Sequence, residues 1–193
     1  MPREVAPVVA WFLWAPIALV VLLGVVALFQ FNRMVTLRNR CAESWSNVDT
    51  ELKRRHDLVP NLVAAVQGYA KHEKEVLAAV TAARARVLAA TGRAELLRGE
   101  NALAGSLDRL LAVAEAYPRL QASRNFLVLQ QELAVTEDRI QAARRFYNAN
   151  VRDYRDQTRQ FPGNLLAGLY KMEPIAFFEV ESPRHLATPR VSL

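Results

Sequence analysis

The sequence predicts an all-α protein: an N-terminal transmembrane helix followed by an antiparallel up-down bundle of three to four long helices. Three observations lead there. Residues 7–29 read PVVAWFLWAPIALVVLLGVVALF, without a charge. Beyond them, apolar residues recur at alternating spacings of three and four, the rhythm of helical seams. Glycine (7) and proline (9) are scarce, at about 8% of 193 residues against about 12% in average usage. That is too few turn formers for a sandwich or barrel with a turn every ~8–12 residues. No stretch alternates with the period of a strand.

The apolar run is the first element. As a helix rising ~1.5 Å per residue it covers about 34 Å, enough for a ~30 Å hydrocarbon core. Trp11 and Trp14 flank one end and Phe29 and Phe31 the other, as interfacial aromatics do. A secretory signal would have a shorter core of ~7–15 residues and a small-residue cleavage site. Here Met-Pro-Arg-Glu precedes the run and Phe-Gln-Phe-Asn-Arg ends it, so an uncleaved anchor is expected. Arg33, Arg38 and Arg40 follow the span and only Arg3 precedes it, a bias that puts the C-terminal side in the cytoplasm. Pro16 falls inside the span, where neighbouring groups satisfy the freed carbonyl.

The next seam runs Cys41, Trp45, Val48, Leu52, Arg55, Val59, Leu62, Val66, Tyr69. Its register survives Pro60, so a kinked but continuous helix is expected there, running on through the helix-favouring Lys71–Ala90 to Thr91-Gly92. A further helix covers about Ala94–Tyr117, with Leu96, Leu103, Leu107, Leu110, Ala114 and Tyr117 as its stripe, weakened by Gly99 and Gly105. The longest seam follows: Phe126, Leu129, Leu133, Thr136, Ile140, Ala143, Tyr147, Asn150, Tyr154. It predicts one helix from about Arg119 to Gln160, opened by Pro118 and stopped at Phe161-Pro162-Gly163-Asn164. A short helix is expected at Asn164–Tyr170. Residues 1–32 are thus tail and span, 33–172 the bundle, and 173–193 an irregular tail with Pro174, Pro183 and Pro189.

The composition narrows the function. With 52% hydrophobic and 23% charged residues the chain is not a disordered one. A single cysteine excludes an intramolecular disulfide and any cysteine-cluster metal site, and three histidines leave little for another. The net charge is +6, and 21 of the 25 cations are arginine. The late arginines (Arg139, Arg144, Arg145, Arg152, Arg155, Arg159) are interleaved with Glu137, Asp138, Asp153 and Asp156. That pattern fits a solvated helix face and a membrane-proximal segment, not a nucleic-acid surface.

LRNRCAESWSNVDTELKRRHDLVPNLVAAVQGYAKHEKEVL (Leu37–Leu77) resembles the opening block of the LemA family. LLAVAEAYPRLQASRNFLVLQQELAVTEDRIQAARRFYNANVRDYRDQTRQFPGNLLAGLY (Leu110–Tyr170) resembles its later part. The resemblance implies a single-pass bacterial membrane protein with a helical-bundle soluble part and no established catalytic activity. It also implies a tie to membrane remodelling in magnetosome formation or, through other relatives, to a membrane-bound heat-shock protease. Residues 89–106 and those after Lys171 depart from the family pattern.

Few residues invite a chemical reading. His56 and Asp57 are adjacent, and adjacent helical residues do not face one another. Arg55 falls on a seam, so burial would demand a carboxylate or carbonyl partner, with Glu137 or Asp138 the candidates. A concave pocket beside such a pair would distinguish a site from a structural ion pair. His72-Glu73 has no second histidine at i+4 and lacks the HExxH zinc geometry. Cys41 is expected as a packed thiol, with palmitoylation the alternative. Asn125 and Asn150 are candidates for polar seam residues that fix register. No phosphate loop, catalytic triad, metal set or cofactor motif is present. The expected partners are the lipid bilayer, an unidentified protein, and further copies of the chain. The function class is a non-enzymatic membrane-anchored helical scaffold or interaction protein, the alternative being a regulatory interaction module for a membrane protease or envelope-stress pathway.

Overall fold

A computed structural model describes residues 5–179, with side chains from Trp14 onward. Arg3, Pro183 and Pro189 lie outside the described residues, and Trp11 outside those whose side chains are described. Six helices follow in order: α1 (Val5–Tyr69), α2 (Lys74–Ala89), α3 (Arg93–Ala114), α4 (Pro118–Gln121), α5 (Arg124–Arg159) and α6 (Gly163–Leu169). Among the described residues there is no strand. The described chain divides into two compact units, one of the residues up to 44 with 147–176, the other of residues 45–146 with the segment that begins at 177.

The second unit holds the larger core. Val59, Leu62 and Val66 of α1, Leu77, Val80, Ala83 and Val87 of α2, and Leu103, Leu107, Leu110 and Ala114 of α3 are all buried in one cluster. Leu120 of α4 and Phe126, Leu129 and Leu133 of α5 complete it. Gly99 has a positive role here. A Cβ on it would meet Val87 Cγ2 at 3.0 Å, so the missing side chain lets α3 approach α2.

In the first unit Met34, Leu37 and Cys41 of α1 are buried, as are Tyr147, Val151 and Tyr154 of α5. Residues 173–176 have no regular secondary structure, yet their carbonyls are bonded. Tyr154 Oη donates to Glu173 O (3.0 Å), Arg155 Nε to Ile175 O (2.8 Å) and Tyr147 Oη to Ala176 O (2.8 Å).

The seams of α1 and α5 hold at most positions. α1 stays helical across Pro16 and Pro60. It does not run on through Lys71. It ends at Tyr69, and a turn over 70–73 precedes α2. Tyr69 is 48% exposed and Ala70 takes the buried position. The spacing gave no warning, because Ala70 and Leu77 are seven apart and would share a face on one continuous helix. The turn instead folds the α2 stripe onto the core, and packing outweighs the helix propensity of the segment.

The expected helix over 119–160 also breaks. Leu120 and Phe126 are both buried, but six residues on one helix would set them about 120° apart. Interrupting the helix at Ala122-Ser123 lets both reach the core. Asn125 is exposed and fixes no register, while Asn150 is half-buried.

A buried ion-pair cluster as candidate functional site

Two charges sit on seam positions of two helices, and they meet. Arg55 of α1 is 3% exposed and Glu100 of α3 is 2% exposed. Arg55 Nη2 donates to Glu100 Oε2, and Nη1 donates to Glu137 Oε2 on α5 at 2.8 Å. His56 joins them: its Nε2 lies 2.6 Å from Glu100 Oε1. A carboxylate only accepts, so Nε2 carries the hydrogen. The backbone around His56 is tied as well, since Arg84 Nε of α2 donates to His56 O at 2.8 Å.

The network continues along α5. Gln141 Nε2 donates to Glu137 Oε1 and Arg144 Nη1 donates to Gln141 Oε1, both at 3.0 Å. The Arg144 guanidinium lies 4.8 Å from the centre of the Phe178 ring, which packs at 5.9 Å from Trp45. Trp45 in turn carries Arg93 over its ring at 4.0 Å. Burial lowers the Arg144 pKa from its ordinary value. The charge of Glu137 opposes that shift and the charge of Arg55 adds to it.

A cavity of about 770 Å³ opens beside this network, within the ~300–1,000 Å³ range of small-molecule sites. Leu52, Leu107, Leu133, Ile140 and Phe178 give it an apolar wall; Arg55, Glu100, Glu137 and Arg144 give it charge. Arg55 Nε, Arg144 Nε and Asn101 Oδ1 are buried there without a hydrogen-bond partner among the described residues. Among the described residues no hydroxyl, thiol or amine lines it. Two of its four carboxylates, Glu100 and Glu137, are held by Arg55. Arg55 thus acts as the clasp between α1, α3 and α5.

Of the residues singled out in the sequence, Arg55 is buried as its seam position required, with Glu137 as one partner. Asp138 and Asp57 are exposed. Glu100 was missed, although a signal exists. Leu96, Glu100, Leu103, Leu107, Leu110 and Ala114 are spaced 4, 3, 4, 3, 4, so Glu100 occupies a seam position. Arg144, which lies off the α5 seam, is half-buried rather than solvated. Cys41 is a buried thiol, 2% exposed. Glu73 accepts a hydrogen bond from Tyr117 Oη at 3.0 Å, and among the described residues no three His, Cys, Asp or Glu side chains converge on a metal position.

The second feature is α1 itself. From Trp14 its first part is apolar and outward-facing, with Leu19, Val20, Leu22, Leu23 and Leu28 all more than half exposed. Its most apolar 18-residue window has a mean hydropathy of 2.3 and no buried residue. By length and composition it can cross a membrane.

Together these define, among the described residues, an all-α fold with one helix apolar enough to span a bilayer and a folded region clasped by a buried arginine. The chain belongs to the LemA family, which it matches over residues 44–193. Among curated relatives, Magnetosome protein MamQ 1 and MamQ 2 of Paramagnetospirillum magneticum are each 24% identical over 79% of this chain and 65% of their own length. Protein LemA of Metamycoplasma hominis is 25% identical over 77% of this chain and 68% of its own. The chain thus spans just under two thirds of the MamQ relatives.

Proposed function

We propose that this protein is a non-enzymatic, membrane-anchored helical scaffold that organises proteins or copies of itself at the bacterial inner membrane. The observation that carries this reading is the exposed apolar face of α1 between Trp14 and Phe29, of which no residue is buried by the described chain. In water that surface would be far larger than a soluble monomer tolerates. The chain relatives named as magnetosome proteins support a role in membrane organisation.

The helices are read as an antiparallel up-down bundle with coiled-coil-like seams. The connections 70–73, 90–92 and 115–117 are short, and short connections make sequential helices antiparallel neighbours. The partners are the bilayer, one or more proteins, and further copies of the chain; no cofactor and no nucleic acid enters. Arg33, Arg38 and Arg40 set the C-terminal side in the cytoplasm by the positive-inside rule.

Mass measurement of the full chain in mild detergent, beside a chain lacking residues 1–32 in buffer, tests the self-assembling form. The first is expected to be multimeric and the second largely monomeric. A strictly monomeric full chain contradicts it. For the orientation, a reporter cysteine after Pro189 is expected to be shielded from an impermeant reagent in intact cells, and labelling there reverses the assignment.

A further inference from the structure

We propose that α6 and the corner before it form a second membrane contact, lying in the lipid interface beside the end of the α1 span. The inference rests on the reading that α1 crosses the bilayer. Its observation is an inverted helix. The buried residues of α6 are the small ones, Gly163 and Ala167, whereas Leu165 is 63% and Leu169 73% exposed. Phe161 before the helix is 79% exposed and Tyr170 after it 56%. A helix on a water-soluble body buries its large apolar side chains and shows its polar ones. Here small residues make the close approach to protein, as they do between helices in lipid, and two of the three leucines face out, Leu166 being half-buried. A Cβ on Gly163 would lie 2.2 Å from Gln157 O, so the small residue at that position is what lets the turn close.

The patch sits where lipid should be. The Phe31 and Tyr170 rings lie with centroids 4.7 Å apart, and Gln157 Nε2 donates to Gln30 Oε1 at 2.5 Å. Both contacts are made one or two residues past Phe29, the last residue of the apolar run. The end of α5 and the whole of α6 therefore lie at the depth where the span meets the headgroups. Exposed Arg33, Arg159 and Lys171 bracket the patch. Cations beside an apolar face are the signature of an interfacial helix, their long stems letting the charge reach the headgroups. Tyrosine at this depth serves the same boundary. A water-facing role leaves the four outward apolar groups unexplained, and a protein cover leaves their coincidence with the end of the span unexplained.

The test uses the full chain with Cys41→Ala, reconstituted in phosphatidylethanolamine–phosphatidylglycerol vesicles. Spin labels are placed singly at Leu165→Cys, Leu169→Cys, Val25→Cys in the span and Arg86→Cys on the exposed side of α2. Collision with oxygen and with a water-soluble nickel chelate is then measured. Labels at 165 and 169 are expected to favour oxygen several-fold more than the label at 86, and less than the label at 25. Nickel accessibility at 165 and 169 equal to that at 86 overturns the proposal. Low accessibility to both reagents also overturns it, because a protein surface then covers the patch. If the label at 25 is itself open to nickel, the span reading fails and this inference falls with it.

Discussion

Residues 14–29 of α1 and residues 48–66 of the same helix obey opposite rules. In the first stretch the apolar side chains point outward all round the helix, and no charge appears. In the second they form one stripe, Val48, Leu52, Val59, Leu62 and Val66, and a charge, Arg55, is buried in the middle of it. The difference teaches what each stretch has for a partner. Lipid wraps a helix on every side and rewards uniform apolarity. A protein core covers one face only and tolerates a charge when other helices bring matching groups, as Glu100 and Glu137 do for Arg55.

The largest expected effect breaks the second rule. Glu100→Ala leaves the Arg55 guanidinium buried with half its partners and is expected to destabilise the folded region by about 3–5 kcal/mol. Urea unfolding followed by circular dichroism measures it; a change within error would mean that the clasp is not a structural element. A matched pair sharpens the comparison directly. Leu133→Ala, at a core position 7% exposed, is expected to cost about 2–5 kcal/mol in the same assay. Leu22→Ala, in the outward-facing stretch, should leave that unfolding curve where it was. Equal costs would mean that both stretches face protein.

Smaller effects follow from the polar edge of the core. Arg144→Ala removes a hydrogen bond to Gln141 and the contact with the Phe178 ring, and is expected to cost about 1 kcal/mol. Arg145→Ala, one residue on and exposed, should cost nothing measurable. The smallest effect is alkaline. The hydrogen bond to Glu73 holds the Tyr117 phenol above its usual 10.0, and burial does the same for Tyr154. The folded state therefore binds these protons more tightly than the unfolded chain. Their contribution is complete below pH ~10 and is lost as pH rises through the higher folded values. Tyr117→Phe with Tyr154→Phe should flatten the loss of thermal stability above pH 10; an unchanged slope contradicts the assignment.

Much of this was legible before any coordinates. The apolar run, most of the α1 and α5 seams, and the seam position of Arg55 follow from spacing, and Glu137 was one of two candidate partners for it. Four features were not legible. The turn over 70–73 was invisible because Ala70 and Leu77 keep the register of an unbroken helix. Glu100 was hidden because a glutamate between Gly99 and Asn101 reads as surface charge unless its place on the stripe is counted. The cavity beside the clasp depends on how α3 and α5 pass each other, which no single helix encodes. The outward face of α6 had no periodic signal either, since seven residues give too few turns to define one.

The central claim is that the exposed apolar stretch of α1 holds this chain in a membrane while the remaining helices fold without it. Membranes carrying the full chain, washed with high salt and then with alkaline carbonate, test it most directly beside a chain lacking residues 1–32. The full chain is expected to remain in the membrane pellet through both washes, and the shortened chain to be soluble and helical by circular dichroism. Release of the full chain by salt, or an unfolded shortened chain, would contradict the account.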